Sequence, residues 1–100
     1  MSRLKFANRA RKDLQEIHDF IAEDNEAAAE RVIKSLETRC RDLVDMPNVG
    51  RKREELAPEV RSVTEGNYVI LYRGTASGIY VARVLHAKQD IENMALFDDE

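Results

Sequence analysis

Three kinds of side chain in this sequence could do chemistry: cations that hold anions, two histidines that could pass protons, and one cysteine. Arg61 and Arg83 fall on two runs of strand-forming residues, and in an antiparallel meander such positions could come close on one sheet face. Two guanidiniums on one face make an anion site, because arginine forms paired hydrogen bonds with phosphates and carboxylates. The competing reading is a pair of arginines that are solvated or held in intramolecular ion pairs.

Arg51-Lys52-Arg53 is a second basic group, followed at once by Glu54 and Glu55; it reads either as a solvated loop or as a binding patch. A third lies at Lys5, Arg9, Arg11 and Lys12, with no acid until Asp13, whereas residues 90–100 carry five acids and no base. His18 and His86 are far apart in the chain, and no second ligand stands at helical spacing from His18. Neither a metal site nor a cofactor is expected. Cys40 is the only cysteine, which excludes an internal disulfide and a thiolate zinc site within one chain, and its place on an apolar stripe makes it a small hydrophobe.

The elements that must position these groups follow from apolar spacing. Leu4 and Phe6 alternate with Arg3 and Lys5, which predicts a short strand over 3–7. Asn8 is the expected N-cap of a helix whose stripe is Ala10, Leu14, Ile17 and Ile21, widened by Phe20 and ending near Glu23. Asn25 then caps a second helix with Glu26 in its first turn; Ala29, Val32, Ile33, Leu36, Cys40, Leu43 and Val44 keep the period until Pro47 and Gly50 end it. The two helices pair as an antiparallel hairpin.

Residues 47–59 read as a long surface loop with one helical turn near Glu54–Leu56. Three strands follow, Val60–Thr64, Tyr68–Arg73 and Ile79–His86, joined by short glycine-containing connections into an antiparallel meander. The expected fold is α+β, in the order β-α-α-β-β-β, with the hairpin covering one face of an antiparallel sheet and the other face open. Tyr68 and Tyr72 share one face of their strand, either beneath the hairpin or available to a partner, and Tyr80 could sit on either face. Residues 90–97 are expected to form a short helix or docking tail at the end of a single domain spanning 1–100.

Composition narrows the function. Apolar residues are 43% and charged residues 35% of the chain, the net charge is −3 and the pI is about 5.4. This balance suits a folded, charged domain and excludes the global positive field of a general nucleic-acid binder. No apolar run reaches the roughly 18 residues of a membrane span, and the first residues do not resemble a signal peptide. The expected compartment is the cytoplasm.

The motifs together resemble a known family. They are Arg11-Lys12-Asp13-Leu14-Gln15-Glu16-Ile17 leading to Phe20-Ile21-Ala22-Glu23-Asp24-Asn25, then Met46-Pro47-Asn48-Val49-Gly50-Arg51, Val60-Arg61-Ser62-Val63, Gly66-Asn67-Tyr68-Val69-Ile70-Leu71-Tyr72-Arg73 and Arg83-Val84-Leu85-His86-Ala87. Over roughly residues 3 to 92 this order is similar to the ParE branch of the RelE/ParE toxin superfamily of bacterial toxin–antitoxin operons. That resemblance implies a ParD-like antitoxin as partner, DNA gyrase as target, and operator DNA reached only through the antitoxin.

The ribosome-dependent RNase branch of the same superfamily offers an alternative, mRNA cleavage, for which the matching residues are Lys52, Arg61, Arg83 and His86. Attack of a ribose 2′-hydroxyl on the adjacent phosphate needs a proton acceptor, a proton donor and positive charge. His86 could fill one proton-transfer role at a time, no Tyr or His follows it, and Glu54 and Glu55 balance the loop charges. The expected activity is therefore binding without catalysis, with Arg51, Lys52, Arg53, Arg61, Arg73, Arg83 and His86 as contacts to target or antitoxin. A degenerate toxin that keeps only antitoxin binding is a third reading.

Overall fold

The computed structural model describes residues 3–88. Strand β1 (Leu4–Phe6) leads into helix α1 (Asn8–Ala22) and helix α2 (Glu26–Asp45); β2 (Arg51–Lys52), β3 (Arg61–Glu65), β4 (Tyr68–Thr75) and β5 (Gly78–His86) follow. The expected short helix over 90–97 lies outside the described residues. Two helices on a five-stranded sheet give the α+β fold, and the strand order is β1-β5-β4-β3-β2.

The hairpin leaves the sheet at β1 and delivers the chain to the opposite edge at β2. The meander then walks back until β5 lies beside β1, and this return makes the β1–β5 pair parallel, Leu4 opposite Ile79 and Phe6 opposite Val81. The sheet is therefore mixed; the antiparallel expectation holds for β2 through β5.

Periodicity located both helices, and one end differs in an instructive way. Ala7, not Asn8, occupies the cap of α1, and no side chain caps it. Its N–H is given to the Val81 carbonyl at 2.9 Å and its carbonyl receives the Arg11 N–H, so one residue serves the end of β1 and the start of α1. Ala7 is buried, which leaves no room for a polar cap. At α2 the expected cap is present: Asn25 accepts the Ala28 N–H at 3.0 Å, which satisfies one of the unpaired amides of the first turn.

The loop after α2 contains an element that spacing did not reveal. Arg51 and Lys52 pair with Ser62 and Arg61, forming a two-residue edge strand. Near Glu54–Leu56 the chain makes a single turn, closed by Leu56 N–H to the Arg53 carbonyl at 2.9 Å. In the meander, Gly66 takes φ +59° between β3 and β4, a conformation that favours glycine. The connection from Gly74 to Gly78 shrinks to a tight turn, because pairing continues to Thr75 opposite Gly78.

The main core lies between hairpin and sheet, where Ala10, Leu36, Cys40 and Leu43 meet Val63, Ile70, Tyr72, Ile79, Val81 and Val84. Burying each large aliphatic side chain contributes about 1.5–3 kcal/mol. The far face is not open as expected. Val60, Val69, Leu71 and Leu85 form a second buried cluster there, with Leu56 and Ala57 of the loop packed against it.

Candidate functional site

The sequence places its cations on strands, and the fold decides which of them share a place. A register shift lies between Leu71 and Tyr72 of β4: Leu71 pairs with Arg83 and Tyr72 with Val81, so Ala82 is an extra residue on β5. Such bulges re-aim side chains. Beyond Phe6 the outer edge of β5 has lost its β1 partner, and Asp13 of α1 takes over that edge. Its carboxylate accepts the Val84 N–H at 3.0 Å, Arg83 Nε at 2.8 Å and the Arg83 Nη2 at 3.0 Å.

Asp13 is 6% exposed and Arg83 4%. This is a two-point ion pair inside the protein, and it ties helix to strand. Arg61 is held elsewhere: its guanidinium donates to the carbonyls of Asn48 at 3.2 Å and Gly50 at 2.8 Å. The two arginines, with β4 between their strands, do not converge on one anion. They serve two separate structural junctions.

The Arg61 junction is completed by Tyr72. Its hydroxyl donates to the Pro47 carbonyl at 2.8 Å and accepts the Gly50 N–H at 2.9 Å; burial pushes the phenol above its ordinary pKa. These bonds pin the Pro47–Gly50 loop and hold Met46 and Val49 beside it with their side chains exposed. Gly50 is required by close approach, since a Cβ there would land on the Tyr72 hydroxyl and lie 3.0 Å from the Ser62 carbonyl.

Lys52 is exposed opposite Arg61, and both line a cleft of about 560 Å³ with Asn48, Glu54, Glu59 and Thr75. That cleft carries both signs of charge. Arg51 is exposed on the edge strand, and Arg53 pairs with Glu55 at 2.7 Å, which holds the Glu55 carboxyl below its usual range. The expected basic cluster is thus internally compensated at one of its three members. Arg73 lies over the Tyr80 ring, 5.4 Å from its centroid.

His86 sits at the opposite end of the meander, paired with Tyr68. Arg61 pairs with Tyr72, so His86 and Arg61 are separated by four residues along β4, about 13 Å at the strand rise. The His86 ring meets Tyr68 edge to face at 5.5 Å, and its Nδ1 accepts the Lys88 N–H at 3.1 Å. In the neutral ring that bond leaves the proton on Nε2.

Around His86 is a cleft of about 460 Å³ lined by Ile17, Phe20, Asn67, Tyr68, Arg83 and Leu85, among others. Phe20 is 75% exposed beside it. This is the place where an apolar anchor, an aromatic pair and charged groups meet, so it suits a protein segment better than a small polar substrate.

His18 contacts Asp19 at 3.3 Å on the exposed side of α1. The Asp19 carboxyl is held below its usual range by the Gln15 side-chain hydrogen bond and then by His18. Cys40 is buried and its thiol is pushed up to about 12 by desolvation. Among the described residues no group of three or more His, Cys, Asp or Glu could hold a metal ion, and no helix is long and apolar enough to cross a membrane.

Asp13 is the residue that sequence reasoning missed. The signal was available, because 10, 13, 14, 17, 20 and 21 follow the helical period and Asp13 is the one acid in that stripe. A charge on a core-facing stripe needs a partner.

Comparison with known proteins agrees with this architecture. Residues 4–91 match the family model described as ParE toxin of type II toxin-antitoxin system, parDE. The chain is 32% identical over 65 residues to Toxin ParE1 of Mycobacterium tuberculosis, in each of two strains, CDC 1551 / Oshkosh and ATCC 25618 / H37Rv. That alignment covers 64% of this chain and 66% of each relative, just under two thirds of their length. A solved chain from a structure described as a chromosomal ParDE TA system from P. aeruginosa superposes with a TM-score of 0.72 at 22% identity, covering 86% of this chain and 96% of that one. At that identity the likeness shows the fold.

Proposed function

The chain belongs to the ParE toxin family of type II toxin–antitoxin systems, and from that premise we propose that it acts by binding DNA gyrase and is neutralised by a ParD-like antitoxin. The observation that carries the reading is the Asp13–Arg83 pair. An endonuclease needs an acid, a base and unspent positive charge around one phosphate. Here the Arg83 guanidinium is bound in the interior by a carboxylate, the Arg61 guanidinium donates to loop carbonyls, and His86 lies at the far end of the meander. Lys52, Arg61, Arg83 and His86 do not surround one position, which favours a toxin that acts through its surface over one that cuts mRNA.

The cleft beside Phe20 is the proposed seat of an antitoxin segment. A chain that is disordered alone could fold there, laying an apolar residue against Phe20 and Ile17 and reaching His86 with polar ones. Operator DNA would then be bound by the antitoxin, since this chain has a net charge of −3. With gyrase as target, the place of action is the cytoplasm.

The test is gyrase supercoiling and DNA cleavage in the presence of the full chain purified away from its antitoxin. Loss of supercoiling with accumulation of cleaved DNA is expected. Unchanged gyrase activity at large molar excess, together with site-specific mRNA cleavage on ribosomes, would replace this reading by the nuclease one. If neither assay responds and the chain still binds its antitoxin, the protein is a degenerate toxin.

A further inference from the structure

Among the described residues, three large apolar side chains stand in solvent: Phe20 at 75%, Met46 at 55% and Val49 at 52% exposed. Phe20 belongs to the cleft around His86, at the Tyr68 end of β4. Met46 and Val49 lie toward the Tyr72 end, on the turn that the Arg61 and Tyr72 side chains hold.

That turn is built more firmly than a surface connection requires. Exposed loop carbonyls and amides can be satisfied by water. Here the hydroxyl of Tyr72, a residue 0% exposed, bonds the Pro47 carbonyl and the Gly50 N–H, and Arg61 bonds the carbonyls of Asn48 and Gly50. Val49 N–H closes the turn on the Met46 carbonyl at 3.3 Å. Fixing a backbone costs about 1–2 kcal/mol per residue in entropy, and the fold meets that cost before any partner arrives. The two side chains so displayed add little to the core, since more than half of each remains in water. An apolar pair that is already ordered loses little freedom when it is covered, which is the property of an interface anchor.

The surroundings specify what would cover it. Pro47 and Asn48 line both of two clefts, of about 540 and 560 Å³, and Gly74, Thr75 and Ala76 of the β4–β5 turn line both as well. These small, exposed residues let a partner come close on either side of the turn. Arg3 is the charged residue of the first cleft, and Arg51 and Lys52 follow the turn, exposed on β2. The acids Glu54 and Glu59 line the second cleft with Lys52. A fitting partner therefore offers an apolar recess to Met46 and Val49 and a carboxylate to Arg3.

We propose that the Met46–Gly50 turn is the surface through which the chain seats on gyrase, with Met46 and Val49 entering an apolar recess of the enzyme and Arg3 meeting a carboxylate at its rim. The partner's identity rests on the gyrase reading above; the surface and its chemistry rest on the turn. Because the turn and the Phe20 cleft lie at opposite ends of β4, target contact and antitoxin contact are separable by substitution.

The test uses the full chain with both residues changed, Met46→Ser and Val49→Ser, beside the conservative pair Met46→Leu and Val49→Ile. The serine pair should raise the concentration that halves gyrase supercoiling by about tenfold or more, with its melting temperature and antitoxin affinity kept, and the conservative pair should match the parent. Arg3→Glu should weaken inhibition and Arg3→Lys should preserve it. A serine pair that inhibits as the parent does overturns the proposal and leaves the gyrase reading standing. So does a serine pair whose antitoxin affinity falls as far as its inhibition, because the turn then belongs to the antitoxin. A parent chain that leaves gyrase untouched refutes the gyrase reading, and growth arrest without antitoxin then tests the turn by itself. Full arrest by the serine pair, or no arrest by the parent, overturns the turn as a target contact; lost arrest with antitoxin binding intact upholds it for another target.

Discussion

Replacing Asp13 by alanine removes three hydrogen bonds at one stroke: two from the Arg83 guanidinium and one from the Val84 N–H. The guanidinium is then left at a site only 4% exposed. Breaking a buried ion pair from one side costs about 3–5 kcal/mol. The unpaired Val84 N–H belongs to the same loss, since a buried amide without a partner costs about 1–3 kcal/mol. Against a typical domain stability of about 5–15 kcal/mol, Asp13→Ala should lower the urea midpoint steeply. At about 4–8 °C per kcal/mol for a domain of this size, the melting temperature should fall by at least about 12 °C.

The double variant Asp13→Leu with Arg83→Met separates charge from packing. With both charges gone, the Val84 N–H still lacks its Asp13 acceptor, and replacing buried ion pairs by apolar groups is often close to neutral. The double variant should therefore recover about 2 kcal/mol relative to Asp13→Ala, measured by urea unfolding with the slope held as a check on two-state behaviour. A single variant within about 1 kcal/mol of the parent, or a double variant no more stable than the single one, would refute the assignment of this pair as the lock between α1 and β5.

Tyr72→Phe should cost about 1–3 kcal/mol, because the buried Gly50 N–H loses its acceptor; Gly50→Ala should cost a similar amount by overpacking against that hydroxyl, and both are read by thermal unfolding. Stability should fall as pH rises from about 9 toward 12, since the unfolded Cys40 thiol ionises near 9.0 while the folded one keeps its proton to about 12, so the native state binds the extra proton. Cys40→Ala should flatten that slope relative to the parent in paired urea titrations at fixed pH values. Lys52→Ala and His86→Ala, tested singly for growth arrest without antitoxin, should each retain toxicity; a loss of a hundredfold or more in either would favour the nuclease reading.

The elements were legible because each has a strong local cause. The stripe Ala29, Leu36 and Leu43 needs no tertiary information to read as a helix, and Asn25 with Glu26 marks its start. The meander was legible from β-rich runs broken by Gly66-Asn67 and by the 74–78 segment. The edge strand Arg51–Lys52 was not, because two charged residues have no period. Ala7 as a cap was invisible for a related reason: its N–H is spent on Val81, a residue 74 positions away.

By itself, then, the sequence determined the order of the two helices and of four of the five described strands, the hairpin, the family motifs and the absence of a thiolate-zinc or disulfide framework within one chain. These follow from short-range periodicity, capping and residue counts. Which cations meet was decided only by tertiary structure. A one-residue bulge at Ala82 and the early end of β1 together bring Asp13 to Arg83, and the Pro47–Gly50 loop takes Arg61 for itself. Strand register and edge exposure are long-range properties, and a shift of one residue exchanges the two faces of a strand. No local pattern encodes that choice, so the partners of an arginine are known only once the sheet is assembled.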